Sequence, residues 1–315
     1  MKINIARNRV QVKVPATSGN LGPGFDVLGI ALSLYNELEI ICNPKEKENK
    51  RSSVEFVISG EGANSLWKDE RNIIWQAARK VFKIRQFPVE NYQFRLNSVN
   101  QIPLARGLGS SSAAILSGLL AANALTGSAL SEEELLNLAS EMEGHPDNVV
   151  PALVGGLTIA DETKGKVAFI RLEPPRDLCS VVCVPQFELS TAKARSVLPK
   201  QVSFQDALFN VKKVSRFLGA IVSKNYEHLK EAMEDRLHQP YRKKLVPGFS
   251  KVVENGYSAG ALGITLSGAG PSILALVKEE KAIQVARAME KAFLEAGKKS
   301  KSLILNFDKK GSSVK

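Results

Sequence analysis

Apolar and polar positions alternate through most of the first sixty residues. Val10, Val12 and Val14 are separated by polar neighbours, as are Leu38, Ile40 and Cys42, and then Val54, Phe56 and Ile58. A period of two predicts three half-buried strands. Between the first two runs lies Pro15 to Gly29, rich in Gly and Pro, which reads as a loop. From Asn72 to Ile84 the period lengthens. The pairs Ile73/Ile74, Ala77/Ala78 and Val81/Phe82 recur as they would on one face of a helix. Tyr92 to Ser98 predicts another strand. A long apolar helix follows Ser112 to about Leu125, with Gly127 as its stop. Ser131 and Glu134 form a capping-box signature ahead of Leu135, Leu136, Leu138 and Ala139, in a helix ending near Gly144.

The rhythm then changes. Pro151 to Ala160 and Val167 to Leu172 predict strands near a domain boundary, and Cys179 to Val184 a third. Ser203 and Asp206 cap a long helix carrying Ala207, Leu208, Val211, Val214, Phe217, Leu218 and Ile221. A second helix is expected through Leu229, Met233 and Leu237. Ile264–Leu266 and Ile273–Val277 flank a Gly-rich turn, Ala282–Ala296 is a helix stopped by Gly297, and Leu303–Phe307 closes as a strand. This order fits an α+β sandwich, divided at residues 1–160 and 161–315. No internal repeat is visible.

Composition narrows the class. The 315 residues are 44% hydrophobic and 24% charged, a soluble globular profile. No apolar run approaches the ~18 residues of a membrane span. The N-terminal Met1–Val14 lacks a secretory h-region, so a cytoplasmic protein is expected. Cys42, Cys179 and Cys183 read as buried core thiols, and His145, His228 and His238 are too scattered for a paired metal motif. The net charge of +11 is spread widely, with short dense runs at Lys45–Arg51, Lys298–Lys301 and Lys309–Lys310. Without interleaved aromatics these read as solvated loops and ends rather than as a nucleic-acid surface, though positive potential also attracts anionic substrates.

Three segments carry chemistry. The strongest is Pro103-Leu104-Ala105-Arg106-Gly107-Leu108-Gly109-Ser110-Ser111-Ser112-Ala113. Gly107 and Gly109 let backbone approach a ligand closely. The serines fall where a helix begins, so free N–H groups and the positive dipole end favour an anion. No Walker sequence occurs, and no acidic residue follows on the dinucleotide-fold schedule. The second segment, Pro15 to Asp26, interrupts a β pattern with a polar Gly-rich loop carrying Asn20 and Asp26. The third, Leu266-Ser267-Gly268-Ala269-Gly270-Pro271-Ser272, is a turn whose exposed N–H groups can form an anion nest.

In this order the segments resemble the three motifs of the GHMP kinase superfamily, over about residues 10 to 305. Asn20-Leu21-Gly22-Pro23-Gly24-Phe25-Asp26, Glu143 to Ala152, Thr191 to Arg195 and Asp235 to Arg242 are similar to the branch whose members phosphorylate L-homoserine. The resemblance implies a two-domain α+β fold with a ferredoxin-like C-terminal half. It implies ATP as co-substrate with Mg²⁺, L-homoserine as acceptor, O-phosphohomoserine on the threonine pathway as product, and no nucleic-acid or membrane partner. It leaves room for a homodimer.

By the same resemblance, Pro103 to Ala113 with Gly268 and Gly270 hold the triphosphate. Ser111 and Glu141 hold Mg²⁺, with Glu143 the other acidic residue nearby. Asn20, Asp26, His145, Asn148, Thr191, Arg195 and Arg242 hold the substrate, and Asn148, Asn20 and Arg195 carry the chemistry. An amino acid's carboxylate suits the guanidinium forks of Arg195 and Arg242, and its ammonium suits Asp26. Asp147 remains open as a base, although positioning and charge stabilisation suffice for phosphoryl transfer. Two positions depart from the pattern: Gly19 stands where alanine is usual, and Arg106 precedes the first glycine of the phosphate loop, where an outward orientation is expected. Other acceptors (mevalonate, shikimate, a sugar) and a silent ligand-binding relative are the competing readings.

Overall fold

The computed structural model describes residues 5–45 and 54–315. The basic run expected at Lys45–Arg51 lies, beyond Lys45, outside the described residues. Strands β1 (Arg9–Gly19) and β2 (Leu28–Pro44) pair antiparallel along nearly their whole length, with a register shift between Pro15 and Ala16. The expected loop from Pro15 to Gly29 is therefore shorter. Proline, which has no N–H to donate, sits at the irregularity, and small Ala16 to Gly19 continue the strand. Only residues 20–27 turn.

Strand β3 (Val54–Gly60) leads through α1 (Ile73–Ile84) to a parallel partner, β4 (Tyr92–Asn100). Asn72 caps α1 by accepting from the Ile74 amide at 2.9 Å. Helix α2 (Ser110–Leu125) is apolar on most sides because it is buried in the core. Helix α3 (Glu132–Glu143) carries the expected capping box of Ser131 and Glu134. Helix α4 (Pro146–Val154) occupies much of the expected strand 151–160, which begins only at Leu157. Pro146 fits the first turn of a helix, and Pro151 is carried inside it. The hairpin of β5 (Leu157–Thr163) and β6 (Lys166–Leu172) then extends the first sheet from β2.

The second half starts with β7 (Cys179–Pro185) and α5 (Thr191–Ser196), followed by α6 (Phe204–Ser223), α7 (Leu229–Ala232) and α8 (Gln239–Arg242). The single helix expected through Leu237 breaks after Ala232. The Asp235 carboxylate accepts from the amides of Leu237, His238 and Gln239 at 2.9, 3.0 and 2.6 Å, a local bonding pattern that competes with the helix. Then come α9 (Phe249–Ser258), β8 (Gly263–Leu266), β9 (Ile273–Val277), α10 (Ala282–Glu295) and β10 (Ser300–Leu305). These strands form an antiparallel sheet ordered β10-β7-β9-β8, the ferredoxin-like arrangement.

Beyond β10 the chain returns to the first sheet. Phe307 bridges to Leu32, and β11 (Ser313–Val314) pairs with β1. The division expected after residue 160 falls within the β5–β6 hairpin, both strands of which belong to the first sheet. One buried apolar cluster runs from the first half into the second, taking in Val182, Phe217, Leu229 and Leu274, and a smaller one lies wholly within the second half. All three cysteines lie in them with free thiols, and burial pushes the Cys42 thiol up to about 12. Among the described residues no helix is long and apolar enough to cross a membrane.

Candidate active site

A cleft of about 280 Å³ opens where three loops meet: the turn after β1, the loop before α2 and the turn between β8 and β9. Backbone and side chains fasten the loops together. The Thr17 amide donates to the Leu108 carbonyl at 3.1 Å, and the Gly268 amide to the Gly19 carbonyl at 3.2 Å. Asn20 donates through Nδ2 to the Gly268 carbonyl at 2.8 Å, while its Oδ1 accepts from the Asp26 amide at 2.9 Å. The Ser267 hydroxyl donates to the Gly107 carbonyl at 2.6 Å. Asn20 lines the cleft, but both ends of its amide are committed to holding the loops.

One end of the cleft is the start of α2. Gly109 precedes it at φ 68, in the left-handed region, and a Cβ there would fall on the Thr17 hydroxyl. The first intrahelical bond runs from the Ala113 amide to the Gly109 carbonyl. The preceding amides are therefore outside the helical ladder, at the positive end of the dipole. Ala105, Arg106, Gly107, Gly109, Ser110, Ser111 and Gly268 line the cleft. Pro103, Leu104, Leu108, Ser112, Ala113 and Gly270 do not; Leu108 and Ala113 are in the apolar core and anchor the loop from behind.

Arg106 does not point outward. Its Nε donates to the Pro185 carbonyl at 2.9 Å, and its terminal nitrogens to the Leu104 and Gln186 carbonyls at 2.7 and 3.2 Å. The guanidinium ties the loop to the chain leaving β7.

The other end is charged. Arg195, in the last turn of α5, donates through both terminal nitrogens to the two oxygens of Asp26, at 3.0 and 2.7 Å. The two residues expected to bind opposite ends of a substrate are thus bonded to each other. Arg242 is almost wholly buried yet lines the cleft. Its Nε donates to the Ala194 carbonyl at 3.1 Å and one terminal nitrogen to His238 Nδ1 at 3.3 Å. Burial first, and the neighbouring Arg195 charge second, lower the Arg242 pKa to about 10, so the side chain stays cationic at neutral pH. Phe25 lies beneath both guanidinium groups, 5.6 Å from Arg195 and 5.1 Å from Arg242, and stacks on His238. His238 donates through Nε2 to the Gly22 carbonyl at 2.7 Å, and burial pushes its pKa below the usual histidine value. Thr191, at the start of α5, completes this end beside Ser190.

Between the ends lie His145, Asp147 and Asn148, at the start of α4. Asp147 Oδ1 accepts from His145 Nδ1 at 2.6 Å and from Asn148 Nδ2 at 3.1 Å. Asn148 Oδ1 accepts from the Thr17 hydroxyl at 2.9 Å. Burial opposes charging of the His145 ring, but the hydrogen bond and charge of Asp147, helped by Glu143, outweigh it and raise the ring's pKa.

Glu141 is not in the cleft. It is exposed and paired with Lys80 at 2.8 Å, while Glu143 lines the cleft. Two residues apart on a helix means about 200° around its axis, so one faces inward and the other away. Phe25, Thr17 and His238 also belong to the site; each falls inside one of the motifs that mark it, though none has a site role assignable from sequence.

The pattern described as GHMP kinases N terminal domain matches residues 72–156, and that described as GHMP kinases C terminal matches residues 217–295. A homoserine kinase of Carboxydothermus hydrogenoformans is 45% identical over 303 residues, 96% of each chain. One from Caldicellulosiruptor bescii is 48% identical over 271 residues, 86% of this chain and 85% of its own. The crystal structure of homoserine kinase from Cytophaga hutchinsonii superposes with a TM-score of 0.86 at 28% identity, covering all of both chains.

Proposed function

The chain belongs to the GHMP kinase family, and from that premise we propose that it transfers the terminal phosphoryl group of ATP to the side-chain hydroxyl of L-homoserine. The product is O-phospho-L-homoserine, an intermediate of threonine synthesis. One observation carries the choice of acceptor: the cleft that begins at the free N-terminus of α2 ends at a buried Arg242 beside the Asp26–Arg195 pair. An anion-binding end and a zwitterion-binding end share one cavity.

The triphosphate lies along Ala105–Ser111, against backbone N–H groups that need no reorganisation to receive it. A cation such as Mg²⁺ suits the donors present, because the Ser111 hydroxyl and the Glu143 carboxylate both line the cleft. Mg²⁺ binds through one or two carboxylates and completes its shell with phosphate oxygens and water. When bound it offsets the negative charge on the transferring group.

The acceptor's carboxylate goes to Arg242, one of whose terminal nitrogens has no hydrogen-bond partner among the described residues. Its ammonium goes to Asp26, whose oxygens keep lone pairs beyond those given to Arg195. Thr191 orients the chain, and Asn148 and His145 face the hydroxyl. The hydroxyl oxygen attacks the terminal phosphorus, the bond to the ADP oxygen breaks, and the hydroxyl proton passes to a transferred phosphoryl oxygen. The transition state is loose, so alignment and charge stabilisation provide most of the acceleration.

ADP release measured with homoserine, mevalonate, shikimate and galactose tests the assignment. Homoserine should be turned over at least about tenfold better than the rest, the ratio expected if one charged hydrogen bond is lost. Equal or better turnover of mevalonate would overturn it, since mevalonate has no ammonium for Asp26.

A further inference from the structure

We propose that Asp147 is a positioning residue for the phosphoryl transfer: its buried carboxylate fixes the Asn148 amide and the His145 ring in the middle of the cleft, between its anion-binding and charged ends. The proposal rests on the reading that these two side chains face the acceptor hydroxyl.

The geometry runs as a chain of contacts from the loop before α2 to the His145 ring. The Thr17 amide is held by the Leu108 carbonyl of that loop. The Thr17 hydroxyl donates to Asn148 Oδ1, and Asn148 Nδ2 donates to Asp147 Oδ1. Both ends of the Asn148 amide are thereby assigned, oxygen toward Thr17 and nitrogen toward Asp147, and a flip would break both bonds. The same Asp147 oxygen accepts from His145 Nδ1, which leaves Nε2 as the ring nitrogen without a partner among the described residues. Thr17, Asp147 and Asn148 are all buried.

Two glycines make room for the arrangement. A Cβ on Gly109 would displace the Thr17 hydroxyl, and a Cβ on Gly19 would fall on Asp147 Oδ2 and crowd Asn148 Nδ2. Gly19 is not in the left-handed region, so its backbone would accept a side chain. The nearest atoms in the way of one belong to Asp147 and Asn148.

A residue that positions must keep its hydrogen bonds but not its charge, whereas a proton acceptor must keep its charge. Asp147→Ala, Asp147→Asn and Thr17→Val in the full-length protein separate the two. Each is assayed for homoserine-dependent ADP release and titrated with a non-hydrolysable ATP analogue. Asp147→Ala should lower kcat about 10- to 150-fold, the range for one lost charged hydrogen bond, while analogue affinity stays within about twofold because the α2 end is untouched. Asp147→Asn should stay within about fivefold of wild type, because its amide oxygen can accept the same two bonds. Thr17→Val, isosteric and with Asp147 intact, should lower kcat about 2- to 10-fold, the scale of a neutral hydrogen bond.

Equal losses in the Asn and Ala variants would overturn positioning in favour of proton acceptance. Wild-type turnover in Asp147→Ala or in Thr17→Val would overturn it outright. Absence of homoserine turnover in the wild type would refute the acceptor assignment instead, so the two failures are distinguishable.

Discussion

Arg195 and Asp26 stand 169 residues apart in the chain, and their side chains close a two-pronged ion pair at 3.0 and 2.7 Å at the charged end of the cleft. Each is about one third exposed, 36% and 34%, so the pair contributes little to stability. Its weight falls on recognition. A matched positive and negative group beside the buried Arg242 charge complements a zwitterion and is poorly satisfied by a neutral sugar.

Arg242 is expected to carry the acceptor's carboxylate. Arg242→Lys keeps the charge but loses the planar fork and the bond from Nε to Ala194. Homoserine KM should rise roughly 10- to 150-fold, the equivalent of ~1.5–3 kcal/mol, with ATP KM nearly unchanged. Steady-state kinetics with each substrate varied in turn checks this. A change confined to ATP would remove Arg242 from the acceptor site.

The two glutamates at the end of α3 should behave oppositely. Glu143→Gln removes the carboxylate that lines the cleft and, on the proposed cation-holding role, should lower kcat by about 100-fold or more. Glu141→Gln breaks only the exposed pair with Lys80 and should cost at most about 1 kcal/mol of stability with wild-type turnover. Activity measured at increasing Mg²⁺ and thermal melting together read both effects.

Gly109→Ala places a side chain at φ 68, straining the backbone by about 1–2 kcal/mol, and pushes on the Thr17 hydroxyl. ATP KM should rise about tenfold or more, and the melting temperature should fall. Isothermal titration with an ATP analogue checks the first and calorimetry the second. Wild-type ATP affinity would show that the start of α2 does not hold the triphosphate.

Local signals in the sequence carried much of this. The run Gly107-Leu108-Gly109-Ser110 announced a helix start after a tight loop, and the helix begins at Ser110. The Ser131–Glu134 box lies where the pattern puts it. What escaped depended on long-range packing. Glu141 and Glu143 are chemically alike, and only the face that α3 turns to the cleft separates them. The break after Ala232 was hidden because apolar spacing through Leu237 continues regardless; the Asp235 carboxylate, capturing three amides, ends the helix. Pro151 read as a strand start because proline in a helix interior is uncommon, yet Pro146 had already set the helix going. The bonding of Asp26 to Arg195 could not be read from either residue, since both were assigned to a ligand and neither to the other.

The preference for an amino acid can be measured through Asp26. Wild-type protein and Asp26→Asn are each titrated with homoserine and with the analogue that keeps its hydroxyl and carboxylate but lacks the amino group. The wild type should favour homoserine by roughly 10- to 150-fold, the worth of one charged hydrogen bond. Asp26→Asn should erase most of that preference by weakening homoserine while leaving the analogue and ATP nearly unaffected. If the substitution weakens both ligands equally, Asp26 does not read the ammonium, and the cleft is not an amino-acid site.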